Sequence, residues 1–166
     1  MRSPYQAYIE EQKHDPQQIS LVQSSFKSVA PIASKAADLF YYRLFVIAPE
    51  VRQLFPAKLS EQKIKLMAML TKTVNNLHQL DAILPAVRQL GERHRGYGVS
   101  AEHYATVGAA LLWTLEQGLG AGFTSEVKAA WYEAYCALAE AMQQGERQAK
   151  AAGEVLSPGS DRKGDG

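Results

Sequence analysis

Apolar residues recur three and four positions apart along most of the chain, and this spacing is the feature that most constrains its fold. It is the spacing of one face of an α-helix, whereas no alternating pattern of useful length, typical of a β-strand, occurs. We therefore predict an all-α domain of about six long helices and one or two short ones. The first predicted inner face consists of Ile19, Val22, Phe26 and Val29, and the last of Trp131, Tyr135, Leu138 and Met142.

Capping residues and prolines divide this pattern into separate helices. Pro31 is predicted to open the second helix, and Pro56 forces the chain out of helix just after Phe55. The Gly118–Gly122 run is predicted to be a turn, and it follows a helix rather than a strand, which argues against a dinucleotide-binding loop. The predicted N-caps are Asp15, Ser60, Asp81, Ser100 and Thr124.

Composition excludes several classes of protein. The 166 residues fit one domain, and a net charge of +1 indicates no general affinity for nucleic acid or an anionic membrane. Cys136 is the single cysteine, so no intramolecular disulfide and no cysteine-based metal site is expected. Glu10 and Glu11 stand where a signal peptide would be apolar, and no segment approaches the ~20 apolar residues of a membrane span. We expect a soluble cytoplasmic protein.

Three regions differ in composition. Residues 1–14 are polar and are predicted to be an N-terminal extension, and residues 15–150 carry the helical pattern of the domain. Residues 151–166 consist largely of glycine, serine, proline and charged side chains, so we predict a disordered C-terminal tail.

One histidine occupies a place where the helical pattern predicts an apolar residue. Ile83, Val87, Leu90 and His94 fall on one helix face, and Gly96 and Gly98 then end the helix. An inward histidine on the last turn can offer a neutral ring nitrogen to a buried group. Judged from this segment alone, a core histidine satisfied by a hydrogen bond is the more common arrangement, so both interpretations stay open.

The order of these features resembles a globin. Phe40–Phe45 (FYYRLF), followed by residues 48–55 (APEVRQLF), is similar to Vitreoscilla-type haemoglobin and to the haem domain of flavohaemoglobins. Residues 93–99 (RHRGYGV) and 120–131 (GAGFTSEVKAAW) are similar to bacterial single-domain globins and neuroglobin. The resemblance runs from about Gln17 to Glu146. It implies the globin fold and a haem b cofactor with His94 as the iron ligand and Phe55 packed on the haem.

The resemblance also implies a set of distal residues. Tyr41 matches the distal tyrosine, Gln62 the distal glutamine, and Leu66, one turn further on, the apolar residue against the bound gas. Hydrogen bonds to a charged acceptor contribute about 1.5–3 kcal/mol each, so two donors slow O2 release by roughly two orders of magnitude if both engage. The alternatives are a core aromatic at Tyr41 and a solvated polar residue at Gln62. We predict that the neighbouring Tyr42 is a core aromatic.

No histidine matches the distal position. His78 lies sixteen residues after Gln62, about 24 Å along a continuous helix, so ligation of the iron by two histidines is not expected. His14 and His103 are predicted to be surface residues.

On the proximal side, the resemblance assigns Tyr104 and Glu146 to the tyrosine and glutamate that influence the basicity of the iron ligand. Glu146 follows Met142 at i+4 and so extends the last inner face, although a frayed helix end would leave it exposed. Leu90 and Val99 are further predicted haem contacts. Lys65 and Arg93 are candidate partners of the haem propionates, with Lys58 a weaker one, and each is otherwise a solvated charge.

Two functions are consistent with this site. The first is reversible, tight binding of O2 for storage, transport or sensing, with NO and CO as further ligands. The second is nitric oxide dioxygenation. The chain stops at Gly166 without sequence for a flavin domain, so turnover is expected to need a separate reductase. A monomer or a homodimer is expected. Peroxidase activity is a weaker third function, and a helical interaction module without a cofactor is the alternative outside the globins.

Overall fold

The computed structural model describes residues 4, 16–79, 82–83, 85–89 and 101–165. Over these residues the chain is helical and contains no strand, which confirms the predicted all-α class. Residues 82–83 and 85–89 are helical between α3 and α4. Five long helices are α1 (Pro16–Val29), α2 (Ala33–Ile47), α3 (Ser60–Asn75), α4 (Ala101–Leu119) and α5 (Ser125–Asp165). Short 3₁₀ helices occupy Ala30–Ile32, Pro49–Leu54, Leu77–Gln79 and Gly120–Gly122.

The helix boundaries follow the predicted caps at some positions and not at others. Thr124 caps α5 as predicted, because its Oγ1 accepts a hydrogen bond from the Val127 N–H at 3.2 Å. Ser60 is not an N-cap: the Lys63 N–H bonds to the Leu59 carbonyl, so the helix begins one residue earlier than predicted. Gly120 has a φ of 55°, which a glycine adopts without strain in the turn before α5. Asp15, Asp81 and Ser100 lie outside the described residues.

The core forms where the predicted inner faces meet. α2 packs across α4, α1 packs against α5, and α3 lies beside α2. The Phe26 and Trp131 rings lie 6.1 Å apart, and the Trp131 indole N–H donates to the Ser25 hydroxyl at 2.8 Å. This hydrogen bond joins α1 to α5 across 106 residues of sequence.

The last helix is long. α5 continues to Asp165 and so includes residues 151–165, for which the composition predicts a disordered tail. The division into a domain at residues 15–150 and a tail at residues 151–166 stays a prediction. The predicted N-terminal extension lies outside the described residues apart from Pro4. Within the described part of the chain, no helix has both the length and the apolar character needed to cross a membrane.

Candidate functional site

Three aromatic rings meet where the end of α2 faces the loop before α3. Tyr41 and Phe45 lie one turn apart on α2, and the 3₁₀ helix Pro49–Leu54 brings Phe55 back against them. The Tyr41 centroid lies 5.5 Å from that of Phe55 and 6.0 Å from that of Phe45, and the two phenylalanine centroids are 5.7 Å apart. Tyr41 is buried, whereas both phenylalanines are only half-buried. The cluster therefore has a closed interior and a partly open apolar face.

The Tyr41 hydroxyl is held loosely. It donates to the Gln62 carbonyl at 3.5 Å, well beyond the 2.7–2.8 Å of a good O–H···O hydrogen bond. Burial raises the pKa of the Tyr41 phenol to about 12. The phenol therefore remains protonated at neutral pH and can donate to a stronger acceptor beside it.

The first two turns of α3 contribute the other predicted distal residues. Gln62 and Leu66 are half-buried and lie one turn apart, while Lys65 is exposed. Leu66 also lines a small apolar cavity of about 10 Å³ together with Phe40 and Leu111. The structure thus brings Tyr41, Phe55 and the backbone of Gln62 together. The exposure of Lys65 is compatible both with a propionate partner and with a solvated lysine.

Arg52 organises the loop that carries Phe55, a role that the sequence analysis missed. Its guanidinium donates to the carbonyls of Phe55, Pro56 and Ala57 at 3.4, 3.0 and 2.9 Å. The same group lies 5.2 Å from the centroid of the Phe45 ring. The sequence did contain a signal of this role, because Arg52 stands three residues before the Phe55–Pro56 pair. Backbone carbonyls in a loop that leaves a helix need hydrogen-bond donors, and a nearby arginine can supply them.

Tyr104, the predicted proximal tyrosine, is buried on α4 and is joined to α5. The Tyr135 hydroxyl donates to the Tyr104 carbonyl at 2.6 Å. Burial raises the pKa of Tyr135, with a smaller contribution from the neighbouring Cys136. A Cβ on Gly108 would lie 2.7 Å from Cε2 of Tyr135, so the glycine makes room for this ring. The helical spacing predicts Tyr135 only as part of a core face. A glycine four residues after Tyr104 was the signal of a close helix contact.

Several predicted site residues cannot be placed. Leu90, Arg93, His94 and Val99 lie outside the described residues. Glu146 lies on α5, but its side chain is outside the described part of the structure. Their assignments therefore stay predictions.

The prediction for Tyr42 is wrong. This side chain is 63% exposed, and its ring contacts that of Trp113 at a centroid distance of 6.3 Å. Consecutive residues of a helix point in directions about 100° apart, so a buried Tyr41 turns its neighbour toward the surface. The structure thus distinguishes two adjacent tyrosines that composition treats alike.

The comparison with known proteins identifies the family. The model of the globin family matches residues 38–142, more than half of the chain. The chain belongs to the globin family. Its relatives include the flavohaemoprotein of Bacillus subtilis strain 168, which is 32% identical over 122 residues, 69% of this chain and 31% of the relative. The flavohaemoprotein of Bacillus cereus is 33% identical over 126 residues, 74% of this chain and 31% of the relative. This globin chain thus spans about a third of the length of these curated relatives.

Solved structures agree with the fold. An engineered carbene transferase from Rhodothermus marinus, described as a candidate nitric oxide dioxygenase, superposes with a TM-score of 0.75 at 29% identity. That match covers 82% of this globin and 95% of the other chain. A hexacoordinated haem protein from a tardigrade has a TM-score of 0.72 at 17% identity, covering 79% and 94% of the two chains. The second similarity supports the fold alone.

Membership in the globin family implies haem binding, and the described residues fit that cofactor. A porphyrin is flat and largely apolar, so its site needs apolar side chains that the protein alone leaves incompletely covered. Phe45, Phe55 and Leu66 have this half-buried character. The protonated phenol of Tyr41 lies directly against the two rings and supplies a hydrogen-bond donor at the edge of the apolar surface.

Proposed function

We propose that this globin holds haem b through His94 and binds O2 reversibly and tightly, with Tyr41 and Gln62 as distal hydrogen-bond donors. The observation that carries the proposal is the Tyr41 phenol. It is buried and protonated, it lies against the half-buried Phe45 and Phe55 rings, and its hydrogen bond is only a long one of 3.5 Å. A buried hydroxyl that is poorly satisfied within the protein is suited to donate to a ligand.

The distal residues would discriminate among gases by charge. Ferrous haem, when bound, supplies an iron atom that binds diatomic gases. Tyr41 would donate its O–H to a ligand atom that carries partial negative charge, which contributes about 1.5–3 kcal/mol. The Gln62 amide is the second donor, and Leu66 supplies an apolar contact that keeps water from competing. CO carries less charge than O2 and should gain less from both donors.

The proximal residues would orient the imidazole. We propose that Glu146 accepts the second ring N–H of His94 and that Tyr104 supports this pair from α4. Such a partner fixes the ring orientation and raises the basicity of the ligand. Leu90 and Val99 would pack against the haem, and Arg93 and Lys65 would pair with its propionates. We also propose that residues 15–150 form the functional domain and that the protein acts in the cytoplasm as a monomer or homodimer.

An absorption spectrum of the purified protein with added haemin tests the proposal first. We expect a Soret band and visible bands that change between the ferric, ferrous and O2-treated forms. The His94→Ala variant should lose this spectrum, while the matched His78→Ala variant, at an exposed position, should keep it. Wild-type protein that stays colourless, or a His94→Ala variant with the unchanged spectrum, would contradict the proposal.

Nitric oxide dioxygenation is the second candidate function, and the comparisons favour it. The relatives are flavohaemoproteins, and the structure at 29% identity is named as a candidate enzyme of this kind. The reaction combines NO, O2 and one electron to give nitrate, and we propose that a separate reductase supplies the electron. Nitrate formation should be measured over many cycles with a supplied reductase. Sustained turnover would support the enzyme, whereas a single turnover followed by a halt would argue against it.

A further inference from the structure

The helical residues 85–89 rest directly on α5 at Gly145. A Cβ at this glycine would lie 2.8 Å from Cα and 2.9 Å from the carbonyl carbon of Arg88, and closer still to the carbonyl oxygen. Ordinary contacts begin near 3.4 Å, so a methyl group would be misplaced by at least half an ångström. The opposing atoms belong to the backbone and cannot rotate away. Any larger residue at position 145 must therefore push the two segments apart.

The side chain of Arg88 is fixed at the same junction. Its Nη2 donates to Oε1 of Gln144 at 3.2 Å, the residue before Gly145. Its Nε is buried and has no hydrogen-bond partner among the described residues. Burial of a donor that finds no acceptor among the described residues is unfavourable. Two contacts therefore hold Arg88 at this junction: the close approach of its backbone to Gly145 and the hydrogen bond from its side chain to Gln144.

The junction is close in sequence to both predicted proximal residues. Arg88 precedes His94 by six residues, and Gly145 directly precedes Glu146. We propose that Gly145 is a positioning residue, which together with Arg88 and Gln144 sets the distance between the segment that leads to His94 and the turn of α5 that carries Glu146. The inference rests on the proposed function, because the junction can influence haem binding only if His94 holds the haem.

The Gly145→Ala variant tests the inference, with Gly118→Ala as the matched control. Both substitutions add one methyl group within a helix, but a Cβ at Gly118 would meet only Cδ1 of Ile32 at 3.5 Å. We expect Gly145→Ala to shift the iron–histidine stretching frequency of the ferrous protein and to accelerate haem loss about tenfold or more. Amide hydrogen exchange at residues 86–89 should also accelerate. Gly118→Ala should match the wild type in all three measurements.

A second variant keeps the inference testable if Gly145→Ala does not fold. Gln144→Leu retains the glycine and removes the acceptor of the Arg88 guanidinium, so it should shift the same frequency in the same direction by a smaller amount. A folded Gly145→Ala protein with the wild-type frequency and haem-loss rate would overturn the inference and leave the proposed function intact. If only Gln144→Leu folds, wild-type values in that variant overturn it equally. Wild-type protein that takes up no haem would instead contradict the proposed function, and the inference with it.

Discussion

The distal and proximal sides of the candidate site are built in different ways. On the distal side, the side chains of Tyr41, Phe45 and Phe55 contact one another, and the Tyr41 hydroxyl has only a long hydrogen bond. On the predicted proximal side, two described contacts involve backbone atoms. Tyr135 donates to a backbone carbonyl at 2.6 Å, and the backbone of Arg88 lies against Gly145.

This difference predicts that the two sides affect different properties, namely ligand binding on the distal side and the stability of the fold on the proximal side. We expect that the Tyr41 hydroxyl can be removed with little effect on the free energy of unfolding, because its hydrogen bond to Gln62 is long. A larger residue at Gly145 would displace a helix, because the opposing atoms of Arg88 belong to the backbone, and one at Gly108 would displace the Tyr135 ring. We therefore expect distal variants to alter ligand kinetics and proximal variants to alter stability. The following predictions test that division.

Tyr41→Phe should have the largest effect. Removal of the phenol O–H should accelerate O2 release roughly 10- to 150-fold, which corresponds to a lost hydrogen bond of about 1.5–3 kcal/mol. The free energy of unfolding should change by less than about 1 kcal/mol, because the bond to Gln62 is long. Stopped-flow kinetics and urea unfolding measure the two quantities. The exposed neighbour provides the control, and Tyr42→Phe should leave both unchanged. An unaltered release rate in Tyr41→Phe would remove Tyr41 from the distal site.

Gly108→Ala should show the opposite behaviour. The added methyl group would lie 2.7 Å from the Tyr135 ring, and overpacking of this kind costs about 1–3 kcal/mol of unfolding free energy. Gly118→Ala, with space around its Cβ, should be neutral or more stable, since alanine is the better helix former. Urea unfolding measures both. In a double-mutant cycle, Tyr135→Leu should relieve most of the loss, and strict additivity would show that the ring is not the obstacle.

Arg52→Met tests whether the distal loop shares the backbone support of the proximal side. The substitution keeps an aliphatic chain but removes the donor to the carbonyls of Phe55, Pro56 and Ala57. Because these hydrogen bonds are partly exposed, we expect a loss of about 1–2 kcal/mol in thermal unfolding. Arg43→Met is the control, since Arg43 lies over the Trp113 ring and away from the loop. Equal melting temperatures for Arg52→Met and the wild type would show that the loop holds Phe55 without the guanidinium.

Alkaline pH provides a further test at Tyr41. Burial raises the pKa of Tyr41 from 10.0 to about 12, so the unfolded chain releases this proton before the folded protein does. The contribution to stability is therefore complete below pH 10 and is lost as the pH rises toward 12. Urea unfolding across this interval should show a decline that is shallower in Tyr41→Phe, because Tyr135 still contributes in that variant. Parallel profiles for the two proteins would show that Tyr41 titrates as an exposed tyrosine.

The sequence by itself determined the helical class and most inner faces. Helical burial leaves a periodic signature in neighbouring residues, so Val22, Phe26 and Leu44 could be assigned without a structure. The globin resemblance added Tyr41, Gln62 and Phe55 through their order and separation, and the structure brings Tyr41, Phe55 and the backbone of Gln62 together. The predicted ligand His94 depends on the sequence alone, because it lies outside the described residues.

Only the tertiary structure decided which distant segments touch. Tyr135 meets the Tyr104 carbonyl across 31 residues, and nothing periodic in the chain encodes that pairing. The contact of Gly145 with Arg88 is of the same kind, because a glycine in a helix indicates a close neighbour without naming it. The prediction for Tyr42 was wrong because the sequence shows which residue occupies a position, whereas burial depends on what surrounds it.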